Sequence, residues 1–222
     1  MKNRDMTFNN CGRLPDHIPL LPLHGAVLLP RTQLPIPVFE SDYLSIIAES
    51  IQSHHMVGVV QPILKDLNIE ENLPLFQSGC VGKIVDINEI EENRLVITLS
   101  GVCRFDIVQE LSSEEGYRRA LVSYDRYNQD LVEEVDFSFD RSRLLKALEG
   151  YFKVMDITPN WQEIGRTSNE KLITALAMIC PFEAREKQAL LETPTLKEQS
   201  KMITTMIEIA TLENPEKAIV CH

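Results

Sequence analysis

The chain is poor in the residues that usually announce chemistry. Its five cysteines, Cys11, Cys80, Cys103, Cys180 and Cys221, stand at wide and irregular spacing with no C-x-x-C among them. That pattern excludes a disulfide framework and a zinc ribbon. No apolar run approaches the roughly 18 residues of a membrane span. The amino terminus, Met1 to Thr7, also lacks the apolar core of a signal peptide. A soluble, cytoplasmic protein with no membrane partner is expected. Aromatic residues make up only 6%, and 22 Lys plus Arg face 33 Asp plus Glu for a net charge of −11. Such a chain repels phosphate backbones and offers few rings for base stacking, so nucleic acid is not an expected partner.

Catalytic motifs are missing as well. Gly79-Cys80-Val81-Gly82-Lys83 holds a fragment of a phosphate loop, but its spacing is short and Ile84 stands where the loop needs a hydroxyl for magnesium. The same G-x-x-G opens a strand, whereas the loop of a KH domain joins two helices, so relief of crowding at a strand end is the plainer role. G-x-S-x-G is absent, and Ser100-Gly101 lacks the first glycine. His54 and His55 are adjacent and point to opposite faces of an extended chain, a poor arrangement for holding one metal. Asp86, Glu89, Glu91 and Glu92 suit a solvated hairpin tip better than a calcium loop. Cys80, Cys103 and Cys180 read as small buried hydrophobes, and the helical methionines as core filler. No catalytic residue, cofactor or metal is therefore expected, and the chain reads as a non-enzyme.

What is present is an ordinary core. With 222 residues, 44% hydrophobic and 25% charged, the chain should bury roughly 70% of its unfolded surface. Residues 1–15 have little periodicity and read as a disordered arm. Residues 16–126 form short β-type runs between turn residues and hold 8 basic against 16 acidic side chains. They read as a β-rich lobe, residues 127–212 as a helical lobe and residues 213–222 as a tail. Ile18 to Leu23 and Val27 to Phe39 are apolar but broken by prolines, which suits extended edge segments. Ser41-Asp42 caps a short helix with Leu44, Ile47, Ala48 and Ile51 on one face. Met56 to Gln61 is a strand and Ile63 to Leu75 a long mobile loop. Gly79 to Ile87 and Arg94 to Leu99 make a hairpin, Gly101 to Val108 follows, and Tyr117 to Tyr127 adds a last strand.

The helical lobe begins near Asp140, with Leu144, Leu148 and Phe152 on its apolar face, and a short turn follows around Trp161. Further helices are expected from Ser168 to Cys180, from Glu183 to Glu192, and after Thr195. The expected fold is α+β: a six-stranded antiparallel pseudo-barrel with one short helix, then a compact helical bundle.

Several segments, taken in order, resemble the amino-terminal substrate-binding domain of Lon proteases, a PUA-like fold that also occurs in stand-alone bacterial proteins. The family opening, roughly L-P-L-x-x-x-V-L-F-P-x-x-x-L-P-L-x-I-F-E-x-R-Y, is matched by Leu21-Pro22-Leu23, Val27-Leu28-Leu29-Pro30, Leu34 to Glu40 and Tyr43. Leu29 replaces Phe and Asp42 replaces Arg. Gly79 to Ile84, Gly101-Val102-Cys103-Arg104-Phe105 and Lys187 to Glu192 match later family segments.

The resemblance implies a polypeptide-binding module whose partners are unfolded or extended segments, with a protease or chaperone as co-partner. It also implies no ATPase or protease module, since the chain ends at His222 before either. Leu28, Leu29, Ile36 and Phe39 are the expected polypeptide-binding residues, because proline-broken edges leave apolar side chains near a surface. Pro30, Glu40, Tyr43, Gly79, Gly101, Arg104 and Phe105 are expected to be structural. A nucleic-acid-binding PUA-like protein, or an enzyme with an unrecognised small-molecule site, are the alternatives.

Overall fold

The computed structural model describes residues 14–38, 41–63, 73–91, 94–111, 117–132 and 137–213. Much of the expected arm, the loop after Ile63, and the tail after Glu213 lie outside these residues. The first half contains strands β1 (His17–Pro22) and β2 (Gln33–Val38), helix α1 (Ser41–Gln52), and strands β3 (Met56–Val60), β4 (Ser78–Glu91), β5 (Arg94–Leu111) and β6 (Arg119–Ser123). A 3-10 turn at Asp125–Leu131 leads into helices α2 (Arg141–Val154), α3 (Trp161–Arg166), α4 (Asn169–Ile179), α5 (Ala184–Glu192) and α6 (Leu196–Glu213).

The six-stranded sheet runs β2-β5-β4-β3-β1-β6, and a further pairing of β5 with β6 closes it on itself, leaving β2 outside the ring. The sheet is mixed, which corrects the purely antiparallel expectation: β1 and β3 run parallel, with Leu20 opposite Gly58 and Pro22 opposite Val60. Parallel neighbours need a crossover, and the stretch carrying β2 and α1 supplies it.

The proline-rich segments divide between two environments. Among the described residues, β2 has only β5 as a neighbouring strand. The Thr32 carbonyl accepts from Gly101 N, so Pro35 and Pro37, of opposite parity, place their missing donors on the open side. β1 is not an edge strand as expected. It sits between β3 and β6. Leu20 N donates to Arg118 O and Leu23 N to Val60 O, so even residues face β6 and odd residues face β3. Pairing with β6 ends at Pro19, and pairing with β3 begins at Leu20. Pro19 thus lacks its N–H before the β3 ladder starts, and Pro22 after the β6 ladder has stopped, so neither breaks a rung.

Two further expectations change. β5 is one continuous strand of 18 residues, where a break at Ser100-Gly101 was expected. Val81 faces Cys103 while Gly82 faces Gly101, so Val102 is an extra, bulged residue. A bulge bends a strand without ending it. β5 can therefore pair with β2 through Leu95–Ser100 and with β6 through Asp106–Leu111. The strand expected to reach Tyr127 stops at Ser123, and the chain turns into the 3-10 segment.

Strand side chains alternate between two cores. One gathers Ile18, Leu20, Val81, Cys103, Phe105, Ile107 and Val122 with Tyr127, all from the strand region and the turn after it. The other joins strand residues such as Leu21, Val57, Cys80 and Leu99 to Leu144, Leu148, Ile173, Leu190 and Ile203 of the helices. Helix starts follow the expected caps: Asp140 Oδ1 accepts from Arg143 N at 2.9 Å and Ser168 Oγ from Lys171 N at 3.4 Å. Thr195 Oγ1 accepts from Glu198 N at 3.2 Å, and Glu183 and Glu186 form a reciprocal capping box.

Candidate functional site

A buried cation, Arg104, is one of the ties between the strands and the helices. Arg104 on β5 and Asp130 in the 3-10 turn are 6% and 7% exposed. The guanidinium grips the carboxylate with both oxygens engaged, Nε to Oδ2 at 2.8 Å and NH2 to Oδ1 at 2.7 Å. Asp130 Oδ2 also accepts the backbone N–H of Arg104 at 3.0 Å. The remaining guanidinium donors reach the carbonyls of Leu191 at 2.9 Å, Thr193 at 2.6 Å and Pro194 at 3.4 Å, at the turn between α5 and α6. The Tyr127 ring lies 4.6 Å beneath. Burial opposes the Arg104 charge, but the hydrogen bonds and charge of Asp130 outweigh it and raise its pKa above the usual arginine range. Arg104 is thus the residue through which β5 fixes the α5–α6 turn, and Asp130 holds its guanidinium in place.

Beside this clamp is a cavity of about 320 Å³ between the strands and the helices, at the small end of ligand-sized pockets. Leu29, Pro30, Val132, Pro194 and Leu196 give it apolar walls, and Arg31, Glu170, Thr174 and Gln199 add polar groups. Arg31 is held in the left-handed region, φ 61°, a conformation that costs a non-glycine residue about 1 kcal/mol or more. From there its Nε donates to the Glu170 carboxylate and its NH1 to the Asp130 carbonyl at 2.8 Å. The strain sits at the rim of the cavity. Gln199 on α6 is 3% exposed. Its Nε2 donates to Leu190 O at 2.8 Å, and its buried Oε1 has no hydrogen-bond partner among the described residues.

The residues expected from sequence fall in different places. Leu28, Leu29 and Ile36 are 0%, 2% and 5% exposed. The surface position expected for them is overturned: in β2 the buried parity is Ile36 and Val38, while the prolines face out. Leu29 and Pro30 do line the cavity. Phe39 and Glu40 lie outside the described residues. Tyr43 OH donates to Pro22 O at 3.2 Å, tying α1 to β1. Gly79 and Gly101 mark close approaches of backbone: a Cβ would lie 2.5 Å from Val59 O at Gly79 and 2.0 Å from Leu29 O at Gly101. Phe105 is 0% exposed and fills the space over Gly58 and Gly79. Asp130 and Gln199 carry no motif and were not singled out, and Glu170 read only as the last residue of a capping box over Thr167 to Glu170. Arg31 follows Pro30 directly, but nothing in a bare sequence shows its backbone angle.

Burial pushes the Cys80 thiol well above its usual range, Cys103 up to about 12 and Cys180 up to about 11, so none is a ready thiolate. Thr174 Oγ1 donates to Glu170 O and Thr193 Oγ1 to Ala189 O, both backbone carbonyls rather than bases. No group of His, Cys, Asp and Glu among the described residues could hold a metal ion. No helix among them is long and apolar enough to cross a membrane.

The closed mixed sheet, the helices packed on it and the clamp between them define a domain class that comparison with known proteins identifies. Residues 17–208 match the model of the ATP-dependent protease La (LON) substrate-binding domain, and the chain belongs to that family. "Lon protease 2" of Myxococcus xanthus is 25% identical over 207 residues, covering 90% of this chain but 25% of that protein. "Lon protease" of Dictyoglomus thermophilum is 24% identical over 218 residues, with 92% and 25% covered. The chain thus spans about a quarter of the length of these relatives. Two solved structures share the fold. The Lon N-terminal domain protein from Xanthomonas campestris has a TM-score of 0.60 and 20% identity, covering 85% of this chain and 97% of that one. The N-terminal domain of Mycobacterium avium complex Lon protease has a TM-score of 0.58 and 16% identity, covering 86% and 97%.

Proposed function

We propose that this chain is a non-enzymatic module that recognises unfolded or extended polypeptide segments and hands them to a protease or chaperone. The observation that carries the reading is the family match over residues 17–208, which falls on a substrate-binding domain and on no ATPase or protease module. The cavity beside Arg104 supports it, because it offers apolar walls and polar groups but no nucleophile set against a base. The geometry favours a binding surface away from the β2 edge. Strand addition at β2 is disfavoured, since Pro35 and Pro37 remove donors from its open side. Leu28 and Ile36 face the core, whereas Leu29 and Pro30 contribute to the cavity. A client therefore docks by placing a side chain between the strands and the helices. Nucleic acid is the weaker reading, because the strand region carries twice as many acidic as basic side chains. The unpaired thiols of Cys80, Cys103 and Cys180 suit a reducing compartment such as the cytoplasm.

The test is titration of fluorescently labelled, chemically unfolded casein into the purified chain, read by anisotropy, with peptide release followed in parallel with and without ATP. Saturable binding without cleavage is expected. Cleavage by the pure chain, or the absence of binding to any unfolded polypeptide, overturns the reading.

A further inference from the structure

We propose that the open edge of β4, from Val85 to Glu89, takes up an extended polypeptide strand as an added neighbour, and that the strand it accepts is basic, an aliphatic residue flanked by lysine or arginine. This surface lies apart from the cavity beside Arg104, whose lining contains no residue of β4. The proposal therefore goes beyond the reading above and does not rest on it.

β4 runs from Ser78 to Glu91, but β3 pairs with it only from Cys80 to Lys83. The last bond on that side is Ile84 N, which donates to His55 O at 2.8 Å. Beyond it, among the described residues, β5 is the only strand beside β4. The parity of the ladder shows which groups are left over. Gly101 N donates to Thr32 O on the β2 side, so the even residues Val96 and Thr98 of β5 turn to β4, where they meet Asn88 and Asp86. The alternation of an antiparallel pair then sends the N–H and C=O of Ile87 and Glu89 to the open side. β2 closes its own open edge with Pro35 and Pro37, whereas β4 contains no proline. An unpaired row of backbone groups is a template for another strand.

The side chains name the occupant. Ile36, Ile97 and Ile87 stand in one row across β2, β5 and β4. They are 5%, 0% and 42% exposed, so this apolar row stops half-covered at the edge, and an aliphatic side chain set opposite Ile87 extends it. Glu89 follows Ile87 on the same face. Asp86 lies on the other, where Asn88 Nδ2 donates to its Oδ2 at 2.6 Å. Both carboxylates are exposed and form no ion pair among the described residues. A guest strand antiparallel to β4 thus places one cation opposite Glu89, its aliphatic residue opposite Ile87 and a second cation opposite Asp86. Opposite charges facing each other across strands stabilise the pairing, and like charges oppose it. A second copy of this chain is the wrong guest for that reason: two such edges set carboxylates together, and each chain carries a net charge of −11.

The test titrates fluorescein-labelled Thr-Lys-Thr-Val-Lys-Thr into the intact chain, read by anisotropy, beside the same peptide built with N-methylvaline and beside Thr-Glu-Thr-Val-Glu-Thr. Saturable binding of the basic peptide is expected. The N-methyl form should bind about tenfold weaker, the scale of one hydrogen bond lost, and the acidic peptide about tenfold weaker or more. Asp86→Lys combined with Glu89→Lys should reverse the preference between the basic and acidic peptides. Ile87→Pro should abolish binding while sparing the ladder to β5, because the Ile87 N–H lies on the open side. The fold of each variant is checked by urea unfolding, and the N-methyl comparison on the unaltered chain decides independently of them. No saturable binding, equal binding of the N-methyl form, or a preference that survives the charge reversal overturns the proposal. A dimer seen by sedimentation that Ile87→Pro dissolves assigns the edge to a second copy and overturns the basic guest.

Discussion

Replacing Arg104 by Met is the most informative single perturbation, because so much of the molecule meets at that side chain. The substitution keeps most of the side-chain bulk but deletes the cation that neutralises Asp130, which is 7% exposed. The carbonyls of Leu191 and Thr193 lose the guanidinium at the same time, and Pro194 O keeps only Gln129 Nε2. Breaking a buried pair by removing one partner costs about 3–5 kcal/mol. For a chain of this size, each kcal/mol shifts the melting temperature by about 2–4 °C, so a drop on the order of 10 °C is expected. Urea unfolding monitored by Trp161 emission gives the free energy directly. The double variant Arg104→Met with Asp130→Leu should be less unstable than the single, because it leaves no unpaired buried charge. A loss below about 1 kcal/mol in the single variant, or plain additivity in the cycle, would refute the assignment of Arg104 as the clamp between strands and helices.

Three other expectations follow from packing and ionisation. Phe105→Ala empties a fully buried site and should cost about 3–5 kcal/mol in the same urea assay; an unchanged midpoint would contradict its place in the core. Gly101→Ala must push against Leu29 O, whereas Gly165→Ala in α3 meets nothing within 4 Å. The first should therefore destabilise markedly, and the second should be neutral or stabilise by up to about 1 kcal/mol, as calorimetry of the pair would show. The folded state keeps the Cys103 proton up to about pH 12 while the unfolded chain releases it near the ordinary value of 9.0. Above pH 9 the unfolded state then binds fewer protons, so stability falls as pH rises through that window. Cys103→Ala should flatten the decline. In a background lacking Cys11 and Cys221, the three buried thiols should react with a disulfide reagent at pH 8 only as fast as the chain unfolds; prompt labelling of the native chain would be the contrary result.

Much of this fold was legible in the amino-acid order, because local rules suffice for it. Alternation placed β3, β4 and the first part of β5, and the hydroxyl or carboxylate at Ser168, Asp140, Glu183 and Thr195 placed the starts of four helices. The run from Leu21 to Tyr43, with Gly101 to Phe105, was enough to point to the family. Three things depended on long-range partners. The first was the direction of β1: its hydrogen-bonding residues look the same whether β3 runs beside it parallel or antiparallel, and the crossover through α1 decides between them. The second was the bulge at Val102, which shows only in the register that sets Val81 opposite Cys103 and Gly82 opposite Gly101. The third was the site. Leu28 and Ile36 read as exposed because prolines mark an edge, yet the parity of β2 turns its prolines outward and Ile36 inward, and Leu28, outside any strand, packs against Gly82 and Gly101. Arg31, Asp130, Glu170 and Gln199 are scattered over residues 31–199 and follow no spacing rule, so only the closing of the helices onto the strands could bring them to one cavity.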